Sequence, residues 1–195
     1  MSDLRKGEQE LYERLWKTQY QASQCAEPLA KYVLAARTQY YGLRILDLGC
    51  GDGTTVRQIR LGQLMCEGLD ITLAGVEISA HFLGMGQEKY FTKGCAWDMP
   101  FGDGEFGATI STDFLEHLPE KKVGAAIAEI VRVTRHKTLH VVATFPDEAE
   151  VDGRTVQLHK TVRPVEWWMD QFREAAKGRS INIEIIDRKA FLGEV

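Results

Sequence analysis

The sequence is poor in several things, and each scarcity excludes something. It has 4 Cys in 195 residues, at Cys25, Cys50, Cys66 and Cys95, with no Cys-x-x-Cys pair. That argues against a disulfide framework or a thiolate metal knuckle and predicts free thiols. It has only 5 Pro and no low-complexity stretch, so a disordered or collagen-like chain is excluded. A basic excess is missing too. The 24 Lys and Arg stand against 28 Asp and Glu, a net charge of −4, which disfavours a nucleic-acid partner. No apolar run approaches the roughly 20 residues of a membrane span. The Met1 end is polar, without the apolar core of a signal segment. The expectation is a cytoplasmic protein with no membrane partner, a monomer or homodimer.

What is present is ordinary globular material, 44% hydrophobic with 18 Gly, in an amount that fits one domain over residues 1–195. Residues 4–40 read as helical, with Leu4, Leu11 and Leu15 on one face and Tyr12, Trp16 and Tyr20 each four apart. These aromatics fit either a lid or core packing. Pro28 suits the first turn of a second helix. From residue 42 onward apolar runs alternate with helical periods. Leu43–Leu48, Thr72–Ile78, Ala108–Ser111 and Leu139–Thr144 read as buried strands. Thr54–Leu61, Ser79–Tyr90, Glu120–Val133 and a segment opened by Pro164 read as helices. Ile181, Ile183 and Ile185 alternate as in an edge strand, and Lys189–Val195 reads as a last strand. The expected fold is three-layer α/β/α, a mostly parallel seven-stranded sheet with an antiparallel last strand. Residues 1–41 would form a helical lid and 42–195 a core.

The most informative stretch is Ile45-Leu46-Asp47-Leu48-Gly49-Cys50-Gly51-Asp52-Gly53-Thr54. A buried strand feeds a glycine turn that feeds a helix, so backbone can approach a ligand beside the positive helix end. The glycines run G-x-G-x-G, and Thr54 stands where a dinucleotide fingerprint has its third glycine. No Lys follows to make a phosphate loop. The stretch resembles the first motif of the class I S-adenosylmethionine-dependent methyltransferases, and the similarity extends over about residues 43–145. Gly75-Val76-Glu77-Ile78-Ser79 ends an apolar run in an acid, and Cys95-Ala96-Trp97-Asp98-Met99-Pro100 resembles the family's third-strand motif. Alone, Glu77 or Asp98 reads as a solvated loop acid; in this order both read as cofactor ligands.

The resemblance implies S-adenosylmethionine as cofactor and a Rossmann-like fold. It implies that Asp47, Gly49 and Gly51, with Cys50 and Gly53 in the same loop, meet the methionine portion. Glu77 and Ile78 would meet the ribose, Trp97, Asp98 and Met99 the adenine edge, and backbone near Ser111 and Thr112 the methionine amino group.

Ser111-Thr112-Asp113-Phe114-Leu115-Glu116-His117 lies where this family puts acceptor-facing groups, and Leu115-Glu116-His117 resembles its small-molecule members. His117 is the side chain there suited to accept a proton near neutrality. Base, metal ligand and structural brace are all open to Glu116 and His117. Asp113, Glu116 and His117, with the distant His159, are similar to the ligands of metal-dependent 2′-O-methyltransferases of RNA ends. Their first carboxylate is normally Glu, so Asp113 departs from that pattern. The metal-free reading is preferred, with Glu116, His117 and His159 as catalytic candidates. The expected activity is methyl transfer to a hydroxyl or amine of a small-molecule or sugar-like acceptor. The alternatives are metal-assisted RNA 2′-O-methylation and a non-catalytic cofactor-binding protein.

Overall fold

The structure, a computed structural model, describes residues 2–17, 24–72 and 88–194. Tyr20, Glu77 and Ile78 lie outside the described residues, as does the helix expected over Ser79–Tyr90 as far as residue 87.

The strands are β1 (Arg44–Leu48), β2 (Met65–Asp70), β3 (Phe91–Lys93), β4 (Phe106–Thr112), β5 (Thr134–Val142), β6 (Glu148–Val151), β7 (Arg154–Gln157) and β8 (Asn182–Asp187). The helices are α1 (Ser2–Leu15), α2 (Ala26–Ala35), α3 (Arg37–Tyr40), α4 (Thr54–Leu61), α5 (Glu120–Val133), α6 (Val165–Ala175) and α7 (Arg188–Leu192). β6 and β7 form a separate hairpin, and the other six strands make one sheet in the order β3-β2-β1-β4-β5-β8.

Central strands covered on both faces read as unbroken apolar runs, which is why β1 was visible in the sequence. Leu46, Leu48, Phe106 and Val142 face α5 and α6 on one side. Ile45, Cys66, Ala108, Ile110, Leu139 and Val141 face α2 and α4 on the other. In α5, Val123, Ala126, Ile127, Ile130 and Val131 are buried at helical spacing. α6 begins behind Pro164 and buries Trp168 and Phe172, while Trp167 stays partly exposed against Trp168.

Three expectations need correction. The sheet has six strands among the described residues, and every pairing is parallel. β8 runs parallel to β5 from Lys137↔Asn182 to Val142↔Asp187 because α6 carries the chain back across the sheet. The segment after β8 is helix α7, not a strand. The Asp187 carboxylate accepts the Lys189 and Ala190 N–H groups and starts that turn. The second strand is Met65–Asp70, paired with β1 from Arg44↔Met65 to Leu48↔Leu69; of the strand expected over Thr72–Ile78 only Thr72 is described, outside any strand, and the rest lies outside the described residues. The short turn after α4 already returns the chain to the sheet, with Leu64 and Cys66 buried.

From β1 the chain winds outward through β2 and β3, then crosses to β4 and winds the other way. The crevice outside the carboxyl ends of β1 and β4 is therefore the place where an open parallel sheet binds ligands. No described helix is long and apolar enough to cross a membrane.

Candidate active site

A cavity of about 400 Å³ occupies this crevice. Its cofactor-facing wall is mostly backbone. Gly49, Gly51 and Gly53 all have positive φ (67°, 52° and 78°), which bends the chain straight from β1 into α4. A Cβ on Gly49 would lie 2.3 Å from Phe114, so glycine is required there for space as well as conformation. The loop is tied to β2: Gly49 and Cys50 donate to the Leu69 carbonyl at 2.8 and 3.2 Å. Gly51 N–H donates to Asp70 Oδ2 at 3.0 Å. Asp47, Gly49, Cys50 and Gly51 line the cavity, as the sequence led us to expect; Gly53 does not, and instead packs under Phe91. Asp47 Oδ2 is buried with no hydrogen-bond partner, and burial raises the pKa of this carboxyl well above the usual range.

Asp70 is the residue that sequence reading missed. It ends the true second strand, lines the cavity, and accepts from Gly51 and Thr72 N–H groups. Burial raises its pKa to about 6, against the pull of those backbone donors. A signal existed. Gly68-Leu69-Asp70-Ile71-Thr72 has the same glycine-apolar-acid-isoleucine-hydroxyl order as Gly75-Val76-Glu77-Ile78-Ser79, seven residues earlier.

Other expected cofactor residues separate. Trp97 and Thr112 line the cavity. Asp98 does not: its side chain is 79% exposed and pairs with Arg5 at 3.6 Å. Met99 is buried in the core beside α5. Ser111 points through the sheet to His140 Nδ1, 2.7 Å away, because alternate residues of a strand face opposite sides.

The acceptor side is assembled from distant segments. Asp113, at φ 45°, turns the chain out of β4 into a 3-10 turn, Leu115–His117. Thr161 N–H donates to the Glu116 carbonyl at 2.9 Å and Thr161 Oγ1 to the Leu118 carbonyl at 2.6 Å. Those two bonds lay the segment around His159 along the turn. The 3-10 turn and the segment bonded to it thus bring Glu116, His117 and His159 together, with one ligand-type atom of each within 4.8 Å of the others. Asp113 belongs elsewhere, in an ion pair with Arg188 at 3.0 Å. Glu116 Oε1 accepts the Ala143 N–H at 2.8 Å, while Oε2 is buried with no hydrogen-bond partner. Burial, with Asp113 nearby, raises the Glu116 carboxyl to about 8. His117 opens on the cavity and its Nδ1 lies 2.8 Å from the Tyr12 hydroxyl. Burial first, then the neighbouring His159 and Lys160, lower its pKa to about 3, so its ring is neutral. His159 Nδ1 meets the Phe145 carbonyl at 2.5 Å, and the two imidazoles stand edge to face with centroids 4.8 Å apart. Tyr12 and Trp16 also line the cavity.

Residues 45–137 match the family model described as a methyltransferase domain. The sequence is 30% identical over 104 residues to an O-methyltransferase of Aspergillus nomiae, 48% of this chain and 43% of that protein. It is 36% identical over 93 residues to ajmaline N-methyltransferase of Rauvolfia serpentina, 46% of this chain and 31% of that protein. The matches thus span less than half the length of these relatives. In fold, it is similar to magnesium protoporphyrin IX methyltransferase from Synechocystis PCC 6803, solved with bound S-adenosylmethionine. The TM-score is 0.56 at 17% identity, covering 72% of this chain and 76% of that one. The chain thus resembles the class I S-adenosylmethionine-dependent methyltransferases, through a domain match over just under half of its length and a likeness in fold over most of it. Its glycine loop, its parallel sheet and the crevice between β1 and β4 all lie where that fold binds its cofactor.

Proposed function

We propose that the protein transfers a methyl group from S-adenosylmethionine to a hydroxyl or amine of a small-molecule acceptor. The observation that carries this is the glycine cradle between Asp47 and Gly53, facing a cavity with an unpartnered buried oxygen on Asp47 and the Asp70 carboxylate beside it. A cradle of that shape takes a ligand with hydroxyl and amino donors. Asp70 lines the cavity and is the described carboxylate at the end of β2 that would accept ribose hydroxyls. The O- and N-methyltransferase relatives support acceptors of both kinds.

In the reaction, a lone pair on the acceptor oxygen or nitrogen attacks the methyl carbon as the C–S bond breaks and its electrons return to sulfur. S-adenosylhomocysteine leaves and the acceptor gives up its proton. The protein's tasks are alignment, exclusion of water and, for a hydroxyl, help with that proton. His117 and His159 line the cavity on the acceptor side with Glu116 buried behind them, and Glu8, Tyr12 and Trp16 from the N-terminal segment line it too. Acidic Asp147, with Glu148, Glu150 and Asp152 on the adjoining hairpin, makes the rim unsuited to a phosphate backbone.

Calorimetry with S-adenosylhomocysteine, followed by release of that product from labelled cofactor across a panel of hydroxyl and amine acceptors, tests the proposal. Binding with turnover on at least one acceptor is expected. Tighter binding of a nicotinamide dinucleotide would overturn it, and binding without turnover on any acceptor would favour a cofactor-binding protein without transfer chemistry.

A further inference from the structure

We propose that Glu116, His117 and His159 hold a divalent transition-metal ion whose open positions face the cavity and take an oxygen of the acceptor. The sequence pattern had included Asp113; the structure removes it, since that carboxylate is committed to Arg188. What remains is two imidazoles and one carboxylate, a donor set that suits first-row divalent ions and leaves coordination sites open to exogenous oxygen ligands.

Two independent observations point to an ion rather than to packing. The first is the orphaned oxygen. Glu116 is fully buried, its Oε1 is used by the Ala143 N–H, and its Oε2 is buried with no hydrogen-bond partner among the described residues. An unpaired buried carboxyl oxygen is costly, and among the described residues no Lys or Arg is bonded to it to offset the cost. The second is how the other atoms are held. Histidines that bind metals almost always give their second nitrogen to a carbonyl or similar group, which fixes the ring and aims the first nitrogen. His159 does this through the Phe145 carbonyl, His117 is held by the Tyr12 hydroxyl, and Glu116 is anchored by Ala143. Each residue is thus held by a partner outside the cluster, and the three converge within 4.8 Å. Ligand atoms bound about 2.0–2.2 Å from one ion lie roughly 3 Å apart. The three therefore close inward on binding, within reach of side-chain rotation. His117 and His159 both line the cavity, so an ion there is open to the acceptor.

The assignment of an acceptor oxygen to the ion rests on the methyltransferase reading; the ion site itself does not. The test uses full-length protein purified without a histidine tag, stripped with a chelator, and titrated with Co²⁺ by visible absorption and calorimetry. S-adenosylhomocysteine binding is measured in parallel as the check on folding. One Co²⁺ per chain is expected, with d–d bands of a mixed nitrogen and oxygen site. Glu116→Gln and His159→Gln should each weaken Co²⁺ by at least about tenfold and leave S-adenosylhomocysteine affinity intact. Asp113→Asn should leave Co²⁺ affinity unchanged. If Glu116→Gln fails to bind S-adenosylhomocysteine, His159→Gln decides. Stripped protein that binds S-adenosylhomocysteine but no Co²⁺ overturns the metal site and spares the methyltransferase reading. Co²⁺ uptake that survives both substitutions, or is lost with Asp113→Asn, overturns the ligand set. Co²⁺ uptake by protein that cannot bind S-adenosylhomocysteine would instead sink the methyltransferase reading alone.

Discussion

Between Asp47 and Gly53, consecutive residues shape one wall of the cavity, whereas the acceptor side draws Tyr12, Glu116, His117, Phe145 and His159 from separate parts of the chain. The first wall is backbone held at positive φ and tied to β2 by N–H groups. The second is side chains, each held by a different partner. A backbone cradle tolerates few residue types and occupies one short run, so it leaves a pattern. A side-chain cluster depends on which segments the fold brings side by side, and its members can change without disturbing the sheet. On the proposed function, the first wall meets the cofactor and the second meets the acceptor.

The sharpest test of that division is His117→Ala. It should lower turnover by about 10²–10⁴-fold, roughly 3–5 kcal/mol in the barrier, while S-adenosylhomocysteine affinity measured by calorimetry stays the same. An equal loss in both would mean that the two walls are not separable. Next comes Gly49→Ala, which drives a Cβ into Phe114 and strains the left-handed backbone. The expected loss is roughly 2–5 kcal/mol of stability, seen as a lower denaturant midpoint, together with loss of cofactor binding. A variant of unchanged stability that still binds the cofactor would show that the cradle is not rigid.

Asp70→Ala tests the one side chain that the backbone wall depends on. S-adenosylhomocysteine should bind about 1–3 kcal/mol more weakly, and Glu77→Ala should leave it unchanged; the reverse result would return the ribose to Glu77. The smallest effect concerns pH. His140 is buried between Ser111 and Thr138, and burial lowers its pKa from 6.5 to about 3. The unfolded chain takes up a proton below pH 6.5 and the folded one does not, so stability is full above 6.5 and falls as pH drops towards 3. Between pH 6.5 and 5.5 the loss from this group is about 1 kcal/mol. Denaturant melts of His140→Gln should show a shallower acid decline than the parent, and parallel curves would remove His140 as the cause.

Much of the fold could be read from sequence because its signals are periodic and local. The runs Glu120–Val133 and Leu43–Leu48 appear almost as expected. The second strand was misplaced because Met65–Asp70 contains Glu67 and Gly68, which blur an apolar run, while Thr72–Ile78 looks cleaner. Glu67 is accommodated by Arg44 at the start of β1, 2.9 Å away, a partner visible only once the strands are paired. The acidic stretch after β5 shows no clear alternation in its sequence, yet β6 and β7 meet there through Asp152-Gly153, both at positive φ. Asp-Gly between apolar residues is a strong two-residue hairpin signal, obscured here by the surrounding acids. At the acceptor wall, Glu116, His117 and His159 were all singled out, but the separation of Asp113 from them was not readable. It depends on Arg188, 75 residues further along the chain.

Helix α1 reaches segments beside both walls. Arg5 and Glu13 pair with Asp98 and Lys93, which flank the cavity-lining Gly94, Ala96 and Trp97. Glu8, Tyr12 and Arg14 reach Lys160, His117 and Asp152 on the acceptor side, and Leu15 packs on Val151 and Leu158. A single element resting on two sites makes them partners in one equilibrium. If cofactor binding draws α1 down, the acceptor gains the same free energy in return, because coupling between two ligands is equal in both directions. An acceptor measured without cofactor would then bind more weakly than in the working enzyme, and the ratio of those two affinities is a direct measure of how firmly this helix joins the two halves of the site.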